Sequence, residues 1–501
     1  MNWIQNPLGR FGRQHEQDHA RFPSGNPFDL EQPLLNLSAS GDALCVRDAC
    51  EGVAILGATG SGKTSGSGQA LARAYLAASF GGLVLTAKND ERRRWEELAR
   101  ATGRADDVMI FSPDSSSRFN FLDYELTRSG SGAGHTENLV NLFATVLEIA
   151  ERKQRYAAEP YWQRATKQLL RNAIDIVVGA TGTVSLPALY RVITSAPGSI
   201  AMTHNREWQQ RSFCFQCIVA GEERVKGEIA RHDFDLAVRY WLSEFPTLAE
   251  KTRSIIVSTF TSMADCLLRG TLRELFCTTT TIVPKVTLDG GILIVDMPVK
   301  EFGELGIISQ VLMKYVWQQA VERRVVSVNP RPVFLWCDEA QHFYTSYDRE
   351  FQATARSSRA ATVYLTQSLP GFYSALGGEH SGKAETDAFL TNLQTKIFHC
   401  NSDPVTNAWA ADLCSRSYQY RHNFGAAGTE RRSSHTAGVS ESLDYEILPR
   451  EFSRLRTGGP EHGFLVDAIL FRSGSAFRAS GKNFLRVQFQ QEKSNDAELR
   501  S

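Results

Sequence analysis

The stretch Val53-Ala54-Ile55-Leu56-Gly57-Ala58-Thr59-Gly60-Ser61-Gly62-Lys63-Thr64, continuing into Ser65, decides the fold. Four apolar residues without alternation read as a strand buried on both faces, as in a parallel sheet. The next eight match GxxxxGK[ST] in full. Glycines let the backbone curl so that successive N–H groups point at phosphate oxygens, and a following helix adds the positive end of its dipole. Leu71, Ala74, Tyr75 and Ala78 recur at helical spacing and supply that helix. Gly57, Ala58, Thr59, Gly60, Ser61, Gly62, Lys63, Thr64 and Ser65 are therefore the candidate phosphate-binding residues of an ATP site. Lys63 is expected to bridge the β- and γ-phosphates, and Thr64 to offer its hydroxyl to Mg²⁺. A chance Gly/Ser turn is the alternative, and the flanking strand and helix argue against it.

Such a loop needs a carboxylate on the metal side, at the end of a nearby strand. Val333-Phe334-Leu335-Trp336-Cys337 followed by Asp338-Glu339 supplies one. Asp338 is the expected metal-side residue, acting through the water shell, and Glu339 the general base that polarises the attacking water. An exposed acidic turn after a core strand is the alternative. Ala361-Thr362-Val363-Tyr364-Leu365-Thr366 reads as a further strand ending in Gln367, placed to touch the γ-phosphate or the water. Arg356 and Arg359 lie between the two. Either can be a finger that neutralises transition-state charge across a subunit interface, or part of a solvated helix end.

The phosphate loop and the acidic strand stand far apart in the chain, and a compact parallel sheet connects its strands in much less. Something sizeable is inserted. Gly82–Thr86 and Val108–Phe111 read as strands. The chain then turns helical, as in Tyr161 to Ile176 and in Lys251 to Leu268, where Ile255, Ile256, Phe260 and Met263 are apolar. Strand character returns at Ile292–Asp296. A helix follows with Leu305, Ile308, Leu312, Val316 and Ala320 on one face. The expected fold is α/β, a mostly parallel sheet interrupted by an all-α domain. The divisions are an N-terminal arm 1–50, nucleotide-binding parts 51–135 and 281–490, the insert 136–280, and a polar tail 491–501. Asn423 to Ser442, rich in Gly, Ser, Thr and Arg, reads as a mobile loop with Arg431 and Arg432 solvated or touching phosphate.

Composition narrows the function. Apolar residues at 42% and charged residues at 22% exclude a disordered or collagen-like chain. Lys plus Arg (55) balance Asp plus Glu (55), so there is no globally basic coat, and nucleic-acid contact must rest on local patches. Arg92 to Arg94, Arg152, Lys153 and Arg155 are candidates, although such runs are more often solvated helix faces. No stretch approaches the roughly 18 apolar residues of a membrane span, and the first residues lack the apolar core of a signal peptide. Among nine cysteines, Cys214 and Cys217 form a lone CxxC. Zinc needs about four ligands and no second pair follows, so both read as structural, like Cys337 and Cys400. His15 and His19 lack the glutamate of an HExxH pair. No structural metal is expected.

Further motifs carry a family resemblance. Phe119-Asn120-Phe121-Leu122 resembles the FNPL-type motif of conjugative coupling ATPases. Asn392-Leu393-Gln394-Thr395-Lys396-Ile397-Phe398, with Asn401-Ser402-Asp403, resembles their strand after the sensor glutamine. Pro449-Arg450-Glu451-Phe452, with Leu455 and Gly458-Gly459, resembles their C-terminal segment. Together with the helical insert, these make the chain similar, from about 50 to 490, to the TraG/TraD-type coupling proteins of type IV secretion. Those belong with the FtsK/HerA group of RecA-like DNA motors. The resemblance implies a RecA-like domain, Mg²⁺-dependent ATP hydrolysis and DNA as cargo in a central channel. It also implies self-association into a hexameric ring from subunits that in many members are monomers in dilute solution and assemble on DNA, and cargo received by the helical domain. Arg356 matches the family's finger better than Arg359.

Membrane-bound relatives begin with transmembrane helices, whereas here polar residues precede the first strand. The expectation is a bacterial cytoplasmic protein without direct membrane insertion. A role at a secretion channel then needs a membrane-anchor partner, besides a relaxosome or channel partner. The second strand ends in Thr86-Ala87-Lys88 rather than an acid-bearing turn, and no catalytic role is assigned there. The competing reading is a HerA-like or defence-associated protein whose nucleotide drives assembly and whose insert recruits a protein partner. A small-molecule kinase is weaker, since such enzymes do not need an insert of this size.

Overall fold

The computed structural model describes residues 28–130, 133–152, 160–429 and 432–492. His15, His19, Lys153, Arg155, Arg431 and most of the tail lie outside them. In chain order the strands are β1 (Pro33–Asn36), β2 (Ala43–Cys45), β3 (Val53–Leu56), β4 (Gly81–Leu85), β5 (Val108–Phe111), β6 (Ile292–Val295), β7 (Val333–Cys337), β8 (Ala360–Thr366), β9 (Thr395–Phe398), β10 (Arg416–Thr429), β11 (Arg432–Tyr445), β12 (Leu465–Arg472) and β13 (Phe484–Gln490). Nine form one sheet in the order β13-β12-β9-β3-β8-β7-β4-β6-β5. From β9 to β5 all neighbours are parallel, and β12 and β13 close one side antiparallel. The phosphate-loop strand β3 is central, and β8 separates it from the acidic strand β7.

Strand alternation splits the apolar residues between two cores. Val53, Ile55, Val84, Phe334 and Trp336 face the helices Gln69–Ala77 and Glu91–Ala101, burying Leu71, Tyr75 and Trp95. Ala54, Leu56, Leu83, Leu85 and Leu335 face the other side, where Val299–Glu322 packs. Everything described between β5 and β6 is helix or loop, beginning at Phe121–Thr127 and ending with Gly270–Phe276 and a 3₁₀ turn Pro284–Asp289. Its apolar interior is continuous with the second sheet core. Phe111 packs on Phe276, Phe276 on Phe121, and Phe121 on Phe143. Asn120 sews the two ends of this excursion together: its side chain caps Phe121–Thr127 at the Asp123 N–H and donates to the Thr278 carbonyl.

Several expectations need correction. Asn423–Ser442 belongs not to a loop but to a long hairpin, β10 against β11, paired without interruption from Arg416↔Tyr445 to Thr429↔Arg432. The ladder is held by backbone groups and needs no apolar period where neither face is buried. Tyr418, Tyr420, Phe424, Val439 and Leu443 are exposed along it. The helix expected to be apolar on one face is buried almost all round from Gly306 to Gln318, because it lies between the sheet and the insert, while Leu305 is exposed. Its polar residues are satisfied inside: Gln310 bonds Thr86 and Met297, and Lys314 pairs with Asp348. The N-terminal region is folded from residue 28 on, with Leu44, Val46, Ala49 and Cys50 buried under the first core. The tail begins attached: Gln491 donates to Ser65 Oγ, and Glu492 accepts from Gln69.

Cys214 and Cys217 lie one turn apart in Phe213–Arg224, both buried, and burial pushes both thiols up. Cys337 is buried and Cys400 half-buried. No single helix among the described residues is long and apolar enough to cross a membrane.

Candidate nucleotide site

Register brings the site together. Leu56 of β3 is level with Thr366 of β8, Tyr364 of β8 with Cys337 of β7, and Cys337 with Leu85 of β4. The residues just beyond these ends share the carboxyl edge of the sheet, where parallel α/β sheets bind ligands. They line a cavity of about 550 Å³ with the phosphate loop as its floor.

The loop is held from beneath. The N–H groups of Gly57 and Ala58 donate to the carbonyls of Thr366 and Cys400. A Cβ on Gly57 would lie 2.5 Å from Ser61 Oγ, and one on Gly62, at φ +82, would lie 2.7 Å from Val466. Close approach excludes a side chain at both. The helix opens at Thr64 with one π turn, Thr64–Gly68, and the N–H groups of its first turn have no acceptor in the helix itself. Buried His399 lies under this turn, with Nε2 2.7 Å from Ser67 Oγ and Nδ1 3.2 Å from the Asp467 carbonyl. Burial pulls its pKa down to about 4, so the ring is neutral. A carbonyl only accepts, so Nδ1 carries the proton and Nε2 accepts from Ser67.

The charged groups converge above the loop. Lys63 is 5% exposed; burial pulls its ammonium down, against the pull of the Asp338 and Glu339 carboxylates. Thr64 Oγ1 stands 3.3 Å from Asp338 Oδ2. This oxygen-only pair beside a phosphate cradle fits a hard divalent cation such as Mg²⁺. Glu339 has a left-handed backbone (φ 50), strain of the sort that gathers at functional sites. Burial would raise its carboxyl, but hydrogen bonds from Gln341 and Gln367, with Lys63 and Lys88 nearby, hold it below the usual range. Gln367 fastens the base to the loop: Nε2 donates to Glu339 Oε1 at 3.0 Å, and Oε1 accepts from Thr59 at 3.1 Å. Asn401 in turn donates to the Gln367 carbonyl at 2.8 Å.

The structure thus brings Lys63, Thr64, Asp338, Glu339 and Gln367 into one cluster. It does not bring Arg356 or Arg359 there. Both precede β8 and lie at the opposite edge of the sheet. Arg359 donates to the carbonyls of Phe28 and Pro330 within its own chain. Arg356 is half-exposed and pairs with Glu51 at 3.0 Å. Of the basic run on the helix Glu91–Ala101, Arg92 pairs with Glu96 and Asp296 and Arg93 with Glu97, whereas Arg94 lines the cavity. Sequence reasoning named Arg94 only as a candidate for nucleic-acid contact, and it missed His399, Gln341 and, above all, Lys88. Lys88 stands just past β4, the strand that the structure pairs with β7. An acid was sought there, and a base stands there.

A central strand running into a phosphate loop, an acidic strand one removed, and a polar strand tip between them define the RecA-like phosphate-loop α/β class. Among solved structures, the unbound bacterial conjugative coupling protein TrwB matches with a TM-score of 0.62 at 13% identity, over 91% of this chain and 89% of that one. TrwB in complex with ADP and Mg²⁺ matches at 0.60 and 13%, over 93% and 90%. Its complex with the non-hydrolysable ATP analogue ADPNP matches at 0.59 and 12%, over 93% and 90%. The resemblance to coupling proteins is borne out at the level of the fold. No family model and no curated protein matches the chain.

Proposed function

We propose that this chain is an ATP-hydrolysing motor of the coupling-protein kind, which couples turnover to movement or recruitment of DNA or nucleoprotein. The convergence of Lys63, Thr64, Asp338, Glu339 and Gln367 around one phosphate-binding loop carries the reading. The TrwB fold, whose solved complexes hold ADP with Mg²⁺ and an ATP analogue, supports it. The loop N–H groups and Lys63 hold the β- and γ-phosphates. Thr64 and Asp338 hold Mg²⁺, which when bound supplies charge neutralisation at the phosphate oxygens. Glu339 takes a proton from water as the water oxygen bonds to the γ-phosphorus. The bond from that phosphorus to the bridging oxygen breaks, and ADP leaves. Gln367 holds Glu339 in position and reports the state of the loop.

In this reading, 51–135 and 281–490 form the nucleotide domain and 136–280 the cargo-receiving helical unit. Self-association places Arg356 of one copy at the nucleotide of the next, since its own loop lies at the other edge of the sheet. The test is steady-state ATP hydrolysis against protein concentration, with and without single- and double-stranded DNA, across a salt series. A rate that rises with concentration and with DNA supports the motor. Turnover indifferent to DNA, with nucleotide-dependent assembly, moves the search to protein partners of the helical unit.

A further inference from the structure

We propose that Lys88 is a further catalytic residue of this site: a cation supplied in cis that leaves the carboxylates of Asp338 and Glu339 for a γ-phosphate oxygen when nucleoside triphosphate binds. The inference rests on the nucleotide-hydrolysing reading.

Position comes first. Leu85 and Cys337 are level in adjacent parallel strands, so the segments leaving β4 and β7 emerge side by side. Lys88 Nζ lies 3.4 Å from Asp338 Oδ2 and 3.5 Å from Glu339 Oε1. The two acids are almost wholly buried, while the lysine side chain is 39% exposed on the cavity wall. Its backbone is anchored, because the buried Glu91 carboxyl group accepts the Ala87 N–H. What remains free to move is a four-carbon stem with an ammonium at its end.

Competition comes second. Asp338 Oδ2 is the oxygen that faces both Thr64 Oγ1 and Lys88 Nζ. A divalent cation at Thr64 and Asp338, bound directly or through its water shell, would put positive charge beside that oxygen and weaken its hold on the Lys88 ammonium. Lys88 then turns from Asp338 to the nearest new anion. The γ-phosphate, between Lys63 of the loop and Glu339, is within reach of the same stem. Lys63, Lys88, Arg94 and Lys300 all line the cavity, and Lys88 is held against both Asp338 and Glu339, beside the place a γ-phosphate would take. A diphosphate offers Lys88 no γ-oxygen, so the residue separates ATP from ADP.

The test is calorimetric affinity for a non-hydrolysable ATP analogue and for ADP, each with Mg²⁺, together with kcat. It compares the full chain with Lys88→Ala, Lys88→Met, Lys88→Arg and the blank Lys63→Ala. Lys88→Ala and Lys88→Met are expected to lose about tenfold or more in analogue affinity while ADP affinity holds. A loss of about 10²-fold in kcat is expected with it. Lys88→Arg, which keeps the charge, is expected to recover part of both. Melting temperatures should stay level, since a half-exposed ion pair contributes little to stability. An unchanged analogue-to-ADP ratio and an unchanged kcat in both Ala and Met variants would overturn the proposal and leave Lys88 as a salt bridge. If the unaltered chain binds neither nucleotide, the nucleotide reading itself falls, which is a different result.

Discussion

The two edges of the sheet collect charge in opposite ways. At the carboxyl edge, Lys63, Lys88 and Glu339 line a cavity, and Lys88 pairs with both Glu339 and the buried Asp338. At the amino edge, arginines are spent on backbone carbonyls of the loops that feed the strands. Arg104 donates to Leu76, Phe80 and Gly290, Arg331 to Ser79, and Arg324 to Ser358, Arg331 and Arg359. One edge keeps its charges available to a ligand, with a strained glutamate between them. The other converts charge into architecture by satisfying buried carbonyls. A guanidinium with five donors suits the second task, and a mobile ammonium suits the first.

Substitutions should separate the edges cleanly. Lys63→Ala is expected to remove nucleotide binding and cut turnover by about 10³-fold or more, with the melting temperature unchanged. At the other edge Arg104→Ala should do the reverse. It removes three bonds to backbone carbonyls, of which Leu76 keeps the Ser79 N–H, together with the ion pair to Asp107, and costs about 3 kcal/mol in denaturant unfolding. Its affinity for ATP analogue should match that of the native chain. If Arg104→Ala weakens nucleotide binding as much as it weakens the fold, the two edges are not independent.

Under the loop, His399 makes stability depend on pH. Its folded pKa is lowered to about 4 from an unfolded value near 6.5. Below about 6.5 the unfolded chain takes up the proton and the folded chain does not, so stability is full above that pH and falls toward pH 4. The loss is up to about 3 kcal/mol. Unfolding measured between pH 7 and pH 4 should show this slope, and His399→Asn should lack it. The smallest effect belongs to Arg356. Its half-exposed pair with Glu51 is worth about 1 kcal/mol or less, so Arg356→Ala should barely move stability. Any loss of turnover should grow with protein concentration, as a residue acting on a neighbouring copy requires.

The same contrast explains what was legible beforehand. Lys63, Thr64, Asp338 and Glu339 stood out because phosphate and metal chemistry demands those residue types behind apolar strands. Gln367 followed as the polar tip of the strand read beside the acid-bearing one. Lys88 did not stand out: one lysine after a strand carries no spacing signature, and its partners lie 250 residues further along the chain. The amino-edge arginines were illegible for another reason, since backbone carbonyls leave no mark in a sequence. Only the family resemblance favoured Arg356 over Arg359 as a finger; the structure adds that the Arg359 guanidinium is tied to the Pro330 carbonyl. The β10–β11 hairpin was missed because an exposed ladder imposes no apolar period on its side chains.

The most direct test of the carboxyl edge as a hydrolytic centre is to measure ATP binding and phosphate release together in Glu339→Gln. The account predicts ATP affinity within a few-fold of the native chain, with turnover lower by about 10³-fold, since the amide preserves shape but takes no proton. Phosphate release at the native rate in Glu339→Gln would contradict it.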